Sequence, residues 1–168
     1  MKAASYLSLI ACLIAGMPQA RADTAQDALA LKFSCSQTLG NAEQQVIYAD
    51  LGEISLQGEQ IHRFRWESSL HRRTHGFDCS MDESDGLQAK QIEQGWRVSV
   101  LDAAAAREKR GYDRPRGRQC SVRLLRDASN AQELHMIPTC PVLCGSRENF
   151  SELRINLQTG QCKYESTP

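Results

Sequence analysis

Histidines and carboxylates are the first groups in this sequence that could do chemistry. His71 and His75 have the i, i+4 spacing that would place both imidazoles on one helical face for metal binding. Gly76 and the alternating run after it instead indicate a basic surface turn that enters a strand. No glutamate lies between the two histidines, as a zinc hydrolase would require. We therefore predict no metal site here.

Other catalytic patterns are missing as well. The acidic residues Asp78, Asp82, Glu83 and Asp85 are predicted to cap turns or stay solvated, and no spacing selects a glycosidase pair. His62 and His135 lie in strand patterns and are predicted to be structural or solvent-facing. Gly145-Ser146-Arg147 lacks the Gly-x-Ser-x-Gly pattern of a nucleophile elbow. We predict a non-enzymatic protein without a cofactor.

The cysteines form an even set once a predicted export signal is removed. Cys12 lies in that signal, and six remain: Cys35, Cys79, Cys120, Cys140, Cys144 and Cys162. In an oxidising compartment six cysteines predict three disulfides, with 15 connectivities open. The short intervening loops favour a bridge from Cys162 to Cys140 or Cys144. The alternative, a zinc site at these three residues, lacks a second matching ligand pair.

The N-terminus has the pattern of a secretory signal. Lys2 precedes an apolar stretch over residues 6–17, and Ala20-Arg21-Ala22 supplies small residues for cleavage before Asp23. The stretch is too short for a transmembrane helix, which needs about 20 residues. We therefore predict a signal peptide over 1–22, no transmembrane segment, and a periplasmic or secreted protein.

A lipid anchor is the alternative at the N-terminus. Leu9-Ile10-Ala11-Cys12 resembles the lipobox of bacterial lipoproteins, in which the cysteine is lipidated. Cleavage there would leave a very short segment before the cysteine, and the apolar run continues beyond it. We favour cleavage before Asp23.

The body of the chain alternates with a period of two, which predicts half-buried antiparallel strands. The runs contain Phe33 and Cys35; Phe64 and Trp66; Phe77, Cys79 and Met81; Trp96, Val98 and Val100; Cys120, Val122 and Leu124; Leu134 and Met136; Leu153, Ile155 and Leu157; and Cys162 and Tyr164. Turn residues at 57–59, 94–95, 127–130 and 158–160 separate neighbouring runs. We predict one mainly β domain over 33–168, a small antiparallel barrel or a sandwich, preceded by a tail or short helix over 23–32.

Charge is balanced over the chain but not along it. The 168 residues carry 20 basic and 20 acidic side chains, and removal of Lys2 and Arg21 with the signal leaves 18 minus 20, or minus 2. This argues against nucleic-acid binding. Residues 102–118 are predicted to form a long basic hairpin loop, either a binding surface or a mobile insertion. Its basic residues are Arg107, Lys109, Arg110, Arg114, Arg116 and Arg118.

A second candidate binding surface lies between Cys140 and Phe150. Two cysteines that flank three residues, followed by Gly145, Ser146 and Arg147, would form a rigid presented loop when tied by disulfides. The structural alternative is that this knot only staples the domain.

The same residues carry a family resemblance. Phe33-x-Cys35, the run of short strands and the cysteine-tied loop with Gly145-Ser146-Arg147 resemble the membrane-bound and periplasmic inhibitors of c-type lysozyme. Those proteins are small bacterial β-barrels that insert a loop into the lysozyme cleft. In them a serine-glycine-rich stretch leads into a tyrosine, whereas here Phe150 follows at a different spacing. The Cys140-x3-Cys144-Gly ending also resembles small exported bacterial proteins of unassigned function.

The resemblance implies a protein partner, a peptidoglycan-degrading (muralytic) enzyme whose catalytic carboxylates would accept hydrogen bonds from Ser146 or Arg147. The alternatives are an immunity or adaptor protein that binds a toxin or another envelope protein, and a carrier that holds a small ligand inside the barrel.

Overall fold

The computed structural model describes residues 28–41, 43–112 and 116–166. The predicted signal peptide, its cleavage site, Cys12 and Arg114 lie outside these residues.

The described residues form ten strands, one α-helix and two short 3-10 turns. The strands are β1 Ala28–Leu39, β2 Val46–Gln57, β3 Gln60–Arg72, β4 His75–Asp82, β5 Leu87–Ile92, β6 Gly95–Val100, β7 Ser121–Arg126, β8 Glu133–Thr139, β9 Glu152–Asn156 and β10 Cys162–Ser166. Helix α1 spans Ala103–Lys109, and the 3-10 turns span Glu83–Asp85 and Pro141–Leu143. The prediction of a mainly β domain is confirmed.

Two antiparallel sheets contain all ten strands. The first has the order β1-β2-β3-β4, and the second has the order β10-β9-β8-β7-β6-β5. Most of the strands bury alternate side chains, and the buried faces of both sheets contribute to one apolar cluster. The largest side chains in it are the fully buried Trp66, Trp96, Phe64 and Phe150. Burial of this apolar surface is the main force that holds the sheets together.

Strands β2 and β5 are not among the runs predicted from the sequence. The buried face of β2 includes Asp50 and Gly52, so the apolar alternation is interrupted in its middle. Gly52 is required there, because a Cβ atom would lie 2.5 Å from Cε1 of Phe33. Outward-facing Leu51 is 47% exposed and further obscures the pattern.

The start of the domain differs from the predicted tail or helix over 23–32. Residues 28–32 belong to β1, whose pairing with β2 begins at Ala28 opposite Gln57. Leu29 and Leu31 face the core, so these residues continue the alternation that Phe33 and Cys35 follow. Residues 23–27 lie outside the described residues.

The prediction of a long hairpin loop over 102–118 is wrong for its first half, which is helix α1. The Asp102 side chain caps the helix by accepting a hydrogen bond from the Ala105 N–H, at 3.0 Å. The four alanines at 103–106 have the highest helix propensity of any residue. Ala103 and Ala106 are buried against the core.

Three disulfides are present, as predicted, but the expected partner of Cys162 is wrong. Cys162 is bonded to Cys35, with a Cα–Cα distance of 5.5 Å. The other two bridges are Cys79–Cys144 and Cys120–Cys140. Short loops were a misleading guide, because β10 is the edge strand of its sheet and lies beside β1, far away in sequence.

The disulfides should contribute unequally to stability. Restriction of the unfolded chain predicts about 5 kcal/mol for Cys35–Cys162, which spans 127 residues, and about 3 kcal/mol for Cys120–Cys140, which spans 20. Urea unfolding of the two paired Cys→Ser variants measures the difference. An equal loss in both variants would contradict the chain-entropy account, and non-reducing peptide mapping checks the connectivity.

Candidate functional site

The candidate site is built on the loop segment, which we define as residues 140–151. Disulfides fix it at Cys140 and Cys144, and the Gly145 N–H donates to the Asp78 carbonyl of β4 at 3.3 Å. Asn149 ties its two ends together: its Oδ1 accepts from the Cys140 N–H at 3.0 Å, and its Nδ2 donates to the Pro138 carbonyl. The loop segment is therefore held by covalent bonds and hydrogen bonds along its length.

From the sequence we expected Arg147 on the exposed face of the loop segment. Instead it lies inside the protein. Its side chain is buried, and its two terminal nitrogens donate to the hydroxyls of Ser68, at 2.7 Å, and Ser151, at 2.8 Å. Its guanidinium also lies 5.7 Å from the centre of the Tyr48 ring, within cation–π range. Arg147 thus anchors the loop segment to the body and cannot contact a partner in this conformation.

Asp50 is the buried carboxylate that accompanies this guanidinium. Its Oδ1 accepts a hydrogen bond from Trp66 Nε1 at 2.9 Å, while its Oδ2 has no partner of normal geometry among the described residues. Burial raises the pKa of Asp50 above its ordinary value of 3.8, and the hydroxyls of Ser68 and Ser151 and the charge of Arg147 partly oppose this rise. The hydroxyls of Ser68 and Ser151 thus interact with both Arg147 and Asp50.

Tyr164 closes the cluster from the last strand. Its hydroxyl donates to the Cys35 carbonyl at 3.3 Å, and its ring centre lies 5.8 Å from that of Tyr48. Burial and the negative charge of Asp50 raise the pKa of Tyr164, so the phenol stays neutral. We call Asp50, Ser68, Arg147, Ser151 and Tyr164 the buried polar cluster.

Two arginines of residues 102–118, which we call the basic segment, also form hydrogen bonds within the protein. Arg107 is buried and donates to the carbonyls of Val142, at 2.9 Å, and Cys144, at 3.0 Å. Arg116 donates to the backbone carbonyls of Arg147 and Ser146. These two side chains satisfy carbonyls of the loop segment that the sheets leave unpaired.

Arg110 has a different role, since it pairs with a carboxylate outside the loop segment. It forms a two-point ion pair with the buried Asp85, at 2.5 and 2.8 Å. It also donates to the carbonyls of Ala106 and Ser80. Lys109 reaches the Ser84 hydroxyl at 3.3 Å, and Arg118 is exposed. The five of these six basic residues that the structure describes therefore do not form one binding surface.

The exposed part of the site is a tip and a hollow beside it. Ser146 and Glu148 are exposed on either side of the buried Arg147. The hollow, about 460 Å³, lies between helix α1 and the loop segment. Tyr112, Arg116 and Arg118 line it, with Val142 at its base. The site therefore offers an exposed tip with hydroxyl and carboxylate groups next to a hollow whose lining contains three arginines and Glu108.

The remaining candidates lie elsewhere. His71 and His75 are exposed at the β3–β4 turn, as predicted, and His135 contacts Glu152 at 2.6 Å. Asp82 caps the turn that follows β4 by accepting from the Ser84 N–H, in agreement with the predicted turn role. Within the described ranges no group of three or more His, Cys, Asp or Glu residues could hold a metal ion.

Loss of Arg147 should expose its structural role. Arg147→Ala removes the two hydrogen bonds to Ser68 and Ser151 and the positive charge nearest the buried Asp50 carboxylate, so it should lower the free energy of unfolding by about 3 kcal/mol. Urea unfolding at neutral pH measures this, with Glu148→Ala as the adjacent exposed control, for which a change within about 0.5 kcal/mol is expected. Similar losses in both variants would argue against the anchor.

The raised pKa of Asp50 predicts a pH dependence with a definite sign. The folded state holds the Asp50 proton more tightly than the unfolded state does. Protonation of Asp50 therefore contributes fully to stability at pH values below its unfolded pKa of about 3.8, and this contribution is lost as pH rises through the higher folded pKa. Asp50→Asn cannot lose that proton and keeps an acceptor for Trp66. The wild type should therefore lose stability relative to Asp50→Asn as pH rises, as measured by unfolding at several pH values. A constant difference would refute the assignment.

Comparison of the chain with protein-family models, with curated proteins and with solved structures gives no match. Among the residues that the structure describes, no helix has the length and apolar character needed to cross a bilayer. Any functional assignment must therefore come from the geometry of the site.

Proposed function

We propose that this chain is an exported, non-enzymatic binding protein that recognises a protein partner through the tip formed by Ser146 and Glu148. One observation carries the proposal: the residue between them, Arg147, is buried and bonded to Ser68 and Ser151. A tip held in this way loses little conformational freedom on binding, so more of the contact energy contributes to affinity.

The scaffold supports this role. We infer that the two sheets form a sandwich, with the edge strands β1 and β10 tied together by Cys35–Cys162. Three disulfides suit an oxidising compartment outside the cytoplasm, where they would persist. The core is filled by large side chains such as Trp66 and Trp96, which favours recognition at the rim over a ligand held between the sheets.

A peptidoglycan-degrading enzyme of the lysozyme class is the first candidate partner. Such enzymes cleave with a pair of carboxyl groups in an open cleft. The exposed Ser146 hydroxyl would donate a hydrogen bond to one of them, and the exposed Arg118, which lines the adjacent hollow, would contact the rim of the cleft. Arg147 was also predicted to donate to these carboxylates. Because it is buried, it instead holds Ser146 in place.

A steric block at the tip tests the proposal. Purified mature protein should slow cell-wall lysis by at least one enzyme of a muralytic panel, and Ser146→Trp should weaken that inhibition at least about tenfold, as expected for disruption at the centre of an interface. Ser36→Trp, an equally bulky change at an exposed serine on the outer face of β1, should have no effect. The measurement is the inhibition constant of each variant.

The outcomes separate the partner from the site. Unchanged lysis rates at micromolar excess for every enzyme would exclude the inhibitor role. The same three proteins then serve as baits for crosslinking in envelope extract, where an immunity or adaptor role predicts a partner captured by the wild type and Ser36→Trp only. Equal capture by Ser146→Trp would place the interface elsewhere.

A further inference from the structure

A row of three basic side chains crosses the outer face of the second sheet. Lys90 of β5 lies directly opposite Arg97 of β6, and Arg97 lies directly opposite Arg123 of β7. All three are exposed. Because neighbouring strands are about 4.8 Å apart, the row extends about 10 Å across the strands. We call these three residues the basic row.

Nothing on these strands neutralises the basic row. Strands β5, β6 and β7 contain no aspartate or glutamate. Within the described part of the chain none of the three side chains forms an ion pair or hydrogen bond. The carboxylates on the strands beyond, Glu133 and Glu152, are already engaged by Arg154 and His135.

This arrangement works against folding. Like charges directly opposite each other on antiparallel strands are destabilising, and Arg97 faces one on each side. On the first sheet, by contrast, exposed basic side chains are paired with a carboxylate, as in the Lys32–Glu53 and Arg63–Glu53 pairs. A bound anionic partner would remove the repulsion.

The other side chains on this outer face indicate the kind of partner. Parallel to the basic row runs a neutral row of hydrogen-bonding side chains, Gln88, Ser99, Ser121 and Thr139, which lie opposite one another in the same register. The large exposed apolar residues of the described chain are Leu39, Ile47, Leu51 and Leu101, and none belongs to β5, β6 or β7. The apolar side chains on this face, Ile92 and Leu125, are only partly exposed, as is Ile137 opposite Arg123. The face therefore lacks the fully exposed apolar anchors typical of a membrane-inserted surface or a protein hot spot.

We propose that the outer face of β5, β6 and β7 is a binding surface for a linear anionic polysaccharide. The basic row would meet successive carboxylate, sulfate or phosphate groups along the chain, at a spacing comparable to one sugar unit. The neutral row would bond the sugar hydroxyls beside them. This surface is separate from the tip at Ser146, and neither proposal depends on the other.

Titration with heparin oligosaccharides, a sulfated linear glycan, tests the surface. The wild type should bind heparin but not neutral dextran, and the triple variant K90Q/R97Q/R123Q should bind at least about tenfold more weakly with a shallower salt dependence, because fewer counterions are released. The matched control R72Q/R73Q/K163Q removes the same charge from exposed positions outside the basic row and should change the affinity little.

A folding control comes from the repulsion itself. Because K90Q/R97Q/R123Q removes facing like charges, it should unfold at a higher temperature than the wild type, which excludes misfolding as the cause of weaker binding. Absence of heparin binding by the wild type, or equal weakening in both triple variants, would overturn the proposal. So would binding to phosphatidylglycerol vesicles or polyglutamate that is tighter than heparin binding and depends on the basic row.

Discussion

A buried guanidinium needs both hydrogen-bond acceptors and a compensating negative charge. The buried polar cluster supplies both for Arg147. Ser68 on β3 and Ser151 at the end of the loop segment accept its hydrogen bonds, and Asp50 on β2 supplies the charge. Because Ser68 and Asp50 belong to two strands of the first sheet, whereas Arg147 and Ser151 belong to the loop segment, these contacts fix the loop segment against that sheet. The same contacts restrict the motion of the exposed tip formed by Ser146 and Glu148.

The alternation of apolar residues predicted most strands and the hairpin turns, because each sheet has one buried face. It did not predict β2, whose inward positions hold Asp50 and Gly52 for reasons of tertiary contact. Helix α1 was also missed, since its short length and the polar residues after it resemble a loop. The disulfide partner of Cys162 depends on which strand edges meet, and local spacing contains no information about that.

The candidate site could be located from the sequence but not oriented. The sequence drew attention to the cysteine-tied loop, but it led us to expect Arg147 on the outside, whereas Arg147 lies inside. Likewise the basic segment suggested one surface, whereas Arg107 and Arg116 serve as donors for carbonyls of the loop segment. An arginine in a loop gives the same sequence signal whether its donors serve a partner or its own backbone. The register that aligns Lys90, Arg97 and Arg123 becomes visible only once strand pairing is known.

The bridge between Cys35 and Cys162 has a topological consequence. It joins the first strand to the last, so the chain between them is a covalent ring, and the hairpin turns within this ring include those at 58–59, 93–94, 127–132 and 157–161. A protease that cut any one of these turns would open the ring without releasing a fragment. The two sheets would remain one molecule, and the strands on either side of the nick could stay paired. Such a chain can survive single cleavages in surroundings rich in hydrolytic enzymes.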